Sequence, residues 1–257
     1  MNKKIMKENL LKIKEKLENH IPTIGTWVQI GHNNSTEILS SSDSFDWVCI
    51  DLEHSAISIE KCESLIRAIE YGGSVPIVRL TSNNSDLIKR VMDSGALGIV
   101  VPMVSSLKDV TQAFDAMHFP PMGNRGVGLA RAQEWGNSFE FYKNEVDPNT
   151  LLIGQIEHID AVKKIDQIFA SGLLDAYLIG PYDLSASLGK PGEFNDNEFI
   201  SALGSIKEAA IKHKVPAGYH LIEPDTNQLD ILIADGYIFI AYSIDSVILR
   251  EAVKLDR

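Results

Sequence analysis

Residues 47–55 read WVCIDLEHS, a short apolar run that ends on Asp51, Glu53 and His54. The apolar part is continuous rather than alternating, the pattern of a strand buried on both faces in a parallel sheet covered by helices. Three ionisable groups in four positions at the end of such a strand form a cap, a solvated edge or a reaction centre. Which of these holds depends on what the rest of the chain builds.

Seven similar runs accompany this one. The set is IGTWVQI (24–30), WVCIDL (47–52), VPIVRL (75–80), LGIVVPMV (97–104), LLIGQIE (151–157), AYLIGP (176–181), PAGYHL (216–221) and YIFIAYS (237–243). Amphipathic stretches lie between them. SIEKCESLIRAIEYGG puts Cys62, Leu65, Ile66 and Ile69 on one face, with Ser58 as N-cap and Gly72 and Gly73 at the end. SDLIKRVMDSGA repeats the logic between Asp86 and Gly95, and SVILREAVKL forms a C-terminal helix. Strand starts typically 21 to 28 residues apart suit βα units. Two longer gaps place extra structure after the fourth and sixth strands.

Eight such units in 257 residues predict an α/β fold, a (β/α)8 TIM barrel. A doubly wound dinucleotide-binding sheet would show GxGxxG after its first strand, and the chain has none there. One barrel domain over 1–257 is expected. Its first 22 residues form an N-terminal helix with Ile5, Leu10, Ile13 and Leu17 at helical spacing.

Composition narrows the function classes. A hydrophobic fraction of 44% suits a globular core, and no apolar run approaches the roughly 20 residues that span a bilayer. A net charge of −11 repels a phosphate backbone and argues against nucleic acid as the main partner. Cys49 and Cys62 have neither metal-ligand spacing nor disulfide density, and the N-terminus lacks a signal-peptide core. A cytoplasmic location is expected.

In a TIM barrel the active site lies at the C-terminal ends of the strands. Those ends carry Asp51, Glu53 and His54 on the second strand, Arg79 on the third, and Gln155, Glu157 and His158 on the fifth. The sixth ends in Gly180-Pro181-Tyr182-Asp183, the seventh in Tyr219 and His220, and the eighth in Tyr242 and Ser243. Individually each has a bland alternative: Asp183 as a helix N-cap, a lone histidine as a hydrogen-bonded structural group, Arg79 as an ion-pair partner. Converging on one pocket, they make a chemical set. Glu157 and Asp183 are hard oxygen donors suited to Mg²⁺ or Mn²⁺ completed by substrate oxygens. A metal so held polarises a 2-oxo acid and stabilises its enolate. Arg79 adds fixed positive charge at the oxyanion, and His54 is the natural acid/base. A Schiff-base route needs a lysine on a strand, and none of the eight runs contains one.

The stretches FDWVCIDLEHS, PIVRL, VVPMV, FPPMGNRGVGLARA, GQIE and GPYDLSASLG, in that order from about Gly25 onward, resemble the HpcH/HpaI aldolase family. Its members are metal-dependent class II pyruvate aldolases such as 4-hydroxy-2-oxoheptanedioate aldolase. The resemblance implies cleavage of a 4-hydroxy-2-oxo acid to pyruvate and an aldehyde. It also implies a homo-oligomer, a hexamer built as a trimer of dimers, with the C-terminal helix exchanged between subunits. By motif, Glu157 and Asp183 would hold the metal, with Co²⁺ or Zn²⁺ as further options. Arg79 would stabilise the enolate, His54 would work with Asp93 of VMDSG, and Asp51 would support that site. Gln155 would lie close to substrate, and the backbone N–H groups of Tyr182 and Asp183 would hold its carboxylate.

The chain departs from the family at Leu52, where glycine is usual between Asp and Glu, and at Tyr182, where small residues are common. The DLE triplet is closer to citrate lyase β and malyl-CoA lyases, so an acyl-CoA or acyl-carrier lyase is the alternative function; His54 favours the aldolases. Tyr182 is expected to narrow the pocket beside the carboxylate. In the loop over 119–131, Gly123, Gly126 and Gly128 with Arg125 and Arg131 offer an anion cradle, or else simply shape the barrel mouth.

Overall fold

The computed structural model describes residues 3–254. Eight parallel strands close into a barrel in the order β1 to β8: Thr23–Val28, Trp47–Asp51, Val75–Arg79, Gly98–Val101, Leu151–Ile156, Ala176–Ile179, Ala217–Leu221 and Phe239–Ile244. Every strand falls within or against one of the eight apolar runs. Helix boundaries obey local chemistry. Ser58 Oγ accepts the Lys61 N–H to start the helix Ile59–Gly72, and Gly73 ends it with φ of 105°, a left-handed turn that glycine adopts at little cost. Among the described residues, no helix is long and apolar enough to cross a membrane.

Side chains alternate across each strand, so every second residue faces the barrel axis. Trp47, Cys49, Val75, Ile77, Leu151 and Ile153 share one buried cluster inside the barrel, while Val48, Ile50, Val78 and Leu152 belong to the layer under the helices. Trp47 stacks on Phe239 at 4.3 Å, filling space that Gly25 leaves open; a Cβ there would lie 2.0 Å from the Trp47 ring. The helix Lys3–Glu18 joins the same cluster through Met6, Leu10, Ile13 and Leu17 and floors the barrel. Met6 takes the place in that stripe expected for Ile5, which is 43% exposed.

The long gaps resolve differently. The segment after β4 is inserted between the helix Leu107–Met117 and the start of β5, at the N-terminal end of the strands. The loop over 119–131 therefore does not shape the mouth. The segment after β6 lies at the C-terminal end, between the helices Pro181–Ser187 and Asn197–His213. β7 also departs from the pattern of burial on both faces, because Tyr219 at its centre is 38% exposed.

Candidate active site

Continuing the inward alternation by one step carries several strands from apolar to polar. β2 runs Trp47, Cys49, Asp51; β3 runs Val75, Ile77, Arg79; the β5 chain runs Leu151, Ile153, Gln155, Glu157. β1 does the same through Gly25, Trp27 and Gln29. Gln29, His54, Arg79, Gln155, Asp183 and His220 all line one cavity of about 590 Å³ at this end.

Arg79 is its fixed charge. Asp51 and Arg79 are register partners, and the carboxylate grips the guanidinium with both oxygens, at 2.9 Å from Nε and 2.7 Å from Nη2. The Gln29 amide donates to Asp51 Oδ2 at 2.8 Å, and the Glu53 and His54 N–H groups donate to Oδ1. Burial opposes ionisation of Asp51, but Arg79 outweighs it and holds the carboxyl below its ordinary value. Asp51 is fully buried, so it anchors Arg79 rather than facing the cavity. Trp27 completes the seat, with the guanidinium 4.4 Å above its ring and His220 stacked at 4.7 Å. Burial, aided by the Arg79 charge, pushes the His220 imidazole down to about 4, so it is neutral near pH 7. Its Nε2 lies 3.3 Å from the Ser243 carbonyl.

Acidic groups gather beside this cation. Glu53 Oε2 sits 3.1 Å from Arg79 Nη1 and 3.9 Å from His54 Nε2. It is a buried oxygen without an aligned donor. Glu157, 2% exposed, accepts the Met103 N–H at 2.6 Å on Oε1 and the Gln155 amide at 2.5 Å on Oε2. Burial raises both glutamates, and each also feels the negative charge of Asp183. Gly180 makes room for the second: a Cβ there would lie 2.4 Å from Glu157 Oε2. Asp183 is not a cap, since the helix Pro181–Ser187 starts at Gly180 without a side-chain cap bond. The first-turn N–H groups of that helix point forward unpaired, as at any helix start. Among the described residues, no group of three or more His, Cys, Asp or Glu side chains is arranged to hold a metal ion. An open site is what the donors fit. Glu157 keeps lone pairs beyond its two hydrogen bonds, Glu53 carries an orphaned oxygen, and Asp183 lies in the cavity wall.

Several expected residues fall elsewhere. His158 Nδ1 caps the helix Ile159–Val162 by accepting the Asp160 N–H, a structural task. The Tyr182 ring lines the cavity, is 62% exposed and meets Phe194 edge-on at 5.1 Å. Asp93 ends the helix Ser85–Ser94 just before β4, at the opposite end of the barrel from His54, and lies 3.3 Å from Arg125 Nη2. The chain does not bring Asp93 and His54 together. Nor does the glycine-rich loop cradle an anion through its arginines: Arg125 is buried on Asp147 and Asp93, and Arg131 pairs with Glu70 and the Ser94 carbonyl. Two contributors were missed. Gln29 is a lone polar residue at the end of the first apolar run, where the alternation that marks Arg79 also marks it. Met103 acts through a backbone N–H held at φ of 53°, which no residue pattern announces.

Known proteins resemble the chain over most of its length. The family model for HpcH/HpaI aldolase/citrate lyase matches residues 23–252. The 2-keto-3-deoxy-L-rhamnonate aldolase of Escherichia coli (strain K12) is 33% identical over 246 residues, covering 93% of this chain and 89% of the relative. A crystal structure of a family protein from Burkholderia cenocepacia J2315 superposes with a TM-score of 0.86 at 29% identity, covering 94% of this chain and 95% of that one. The citrate synthase SbnG superposes at 0.78 with 28% identity, covering 93% of each chain. The chain belongs to the HpcH/HpaI aldolase/citrate lyase family and is a carbon–carbon lyase.

Proposed function

We propose that the protein is a divalent-metal-dependent pyruvate aldolase, cleaving a 4-hydroxy-2-oxo acid to pyruvate and an aldehyde. The observation that carries this is the Asp51-clamped Arg79 at the cavity wall beside Glu53, with Glu157 close enough to feel the charges of Glu53 and Asp183, a fixed cation near oxygen donors. Glu157 and Asp183 would hold the metal, Mg²⁺ or Mn²⁺ before Co²⁺ or Zn²⁺, with Glu53 close enough to bond its waters. Bound there, the ion supplies Lewis acidity toward the 2-oxo group.

The chain's own residues do the rest. Arg79, fixed at three points, offers its remaining N–H groups to the enolate oxygen without reorganisation. Gln155, already oriented by Glu157, borders the same position. The first-turn N–H groups of Tyr182 and Asp183 receive the carboxylate. His54, 64% exposed in its side chain and next to Glu53, moves the proton of the C4 hydroxyl and returns one to C3. Asp93 can assist His54 only from a second copy of the chain, so its role and a homo-oligomer stand together.

Deuterium incorporation at pyruvate C3, followed by proton NMR on EDTA-treated protein, tests this. Exchange restored by Mg²⁺ or Mn²⁺ and lost in Glu157→Gln supports the enolate half-reaction. Folded protein that shows no exchange with any of the four metals overturns it and favours an acyl-CoA substrate.

A further inference from the structure

The cavity is larger than the proposed chemistry requires. At about 590 Å³ it has room for roughly twenty waters, several times what pyruvate fills. The surplus lies to one side. β6 and β7 pair only at Tyr177–Ala217 and Leu178–Gly218. Beyond them β6 turns off at Gly180 into the helix Pro181–Ser187, while β7 continues to Leu221. The two strands part, and the cavity continues outward through the split.

This outer part has a different character. Alternation sends Gly218 and His220 to the barrel axis and Tyr219 to the outside. Its walls are Phe194, Phe199, Leu203, Tyr219, Ile222 and Tyr237. The rings hold one another edge-on or tilted, Phe194 against Phe199 at 5.4 Å and Tyr219 against Tyr237 at 5.2 Å. Phe194 and Tyr219 remain 37% and 38% exposed. The charged or imidazole side chains lining the cavity are His54, Arg79, Asp183 and His220, and none is among these six. One continuous space thus has a charged end built for an oxo acid and an aromatic end without a charge.

We propose that this aromatic annex binds the tail of the substrate, so that the aldehyde half carries an alkyl or aryl chain rather than a row of hydroxyls or a second anion. The assignment rests on the pyruvate-aldolase reading and names its acceptor. A polyol in the annex would find at most the Tyr219 and Tyr237 hydroxyls in exchange for its waters, and an anion would meet no cation, whereas an apolar tail gains about fourfold in association per buried methylene. In the synthetic direction pyruvate C3 loses a proton and bonds to the aldehyde carbon. The carbonyl oxygen takes up a proton to become the C4 hydroxyl, with no redox partner needed.

The experiment measures kcat/KM for aldol addition to pyruvate by the Mn²⁺-loaded full chain, with C3 deuterium exchange recorded in parallel. The acceptors are propanal, butanal, hexanal and phenylacetaldehyde, set against glyceraldehyde and succinic semialdehyde. The expected result is a rise of about fourfold per methylene, hexanal and phenylacetaldehyde exceeding both polar acceptors by tenfold or more. Leu203→Glu or Tyr219→Glu, each placing a carboxylate in the annex, should abolish that slope. Exchange with no dependence on tail, or with glyceraldehyde or succinic semialdehyde preferred, overturns the annex assignment and leaves the aldolase standing. Wild-type protein lacking both exchange and addition overturns both.

Discussion

Arg79 and Arg125 are built alike and placed at opposite ends of the barrel. Each is buried, each faces acidic side chains, and each lies over an aromatic ring, Trp27 at 4.4 Å for one and Phe119 at 4.1 Å for the other. The difference is closure. Arg125 turns its Nη groups to Asp147, the Met117 carbonyl and the Tyr142 hydroxyl, its Nε is buried without a partner, and its side chain is 0% exposed. Arg79 is held by Asp51 but keeps N–H groups at the cavity wall. A buried ion pair is weak evidence of stability or of function by itself. What separates an anchor from a tool is whether a donor still reaches open space.

Exchanging the roles of these two arginines is the sharpest way to break the comparison. Arg79→Lys keeps the charge but loses the fork, and should lower pyruvate exchange by about 10²–10³. Arg125→Met should leave turnover within a fewfold while lowering Tm by on the order of 10 °C, because two aspartates lose their partner. Matching losses of rate in the two variants would erase the distinction. Glu157→Gln should act like EDTA treatment, removing exchange down to the background of the metal-free protein at nearly unchanged Tm; a variant still activated by Mn²⁺ would move the ligand role to Glu53. Asp93→Asn probes the seam between the two ends. If a second copy carries Asp93 to His54, exchange falls roughly tenfold as Tm drops by a few degrees; a Tm change alone would assign Asp93 to Arg125. The smallest effect concerns His220, whose folded-state value of about 4 lies below its unfolded one. Its contribution is present above about pH 6.5 and lost as pH falls from there toward 4. Thermal unfolding of His220→Leu should therefore be less sensitive to pH across that window than wild type.

The eight continuous apolar runs and the polar residues at their C-terminal ends were legible in the sequence, and they sufficed for the barrel and most of the pocket. Asp51, Arg79 and Gln155 each follow two inward apolar residues and Glu157 stands one inward step beyond Gln155, so the period of two and the strand direction locate them together. Gln29 obeys the same rule and was passed over because its run ends without a charge. The Asp93–Arg125 contact joins a helix end to a loop some thirty residues later, and nothing local records such a pairing. Met103 contributes a backbone conformation rather than a side chain. The annex depends on two strands separating after two paired residues, which is a property of register and not of composition.

The floor of the barrel has a kinetic meaning. The helix Lys3–Glu18 and the stacked Trp47 and Phe239 seal the end opposite the strand C-termini. With that end closed, the oxo acid sits innermost whether the acceptor comes over the strand ends or by way of the split between β6 and β7, and this imposes a queue. Whatever docks deepest, against Arg79 and Gln155, must arrive before the acceptor and depart after it. In cleavage the aldehyde would leave first and pyruvate last, so pyruvate, the product that meets the empty enzyme, should inhibit competitively against the cleaved substrate and the aldehyde should not.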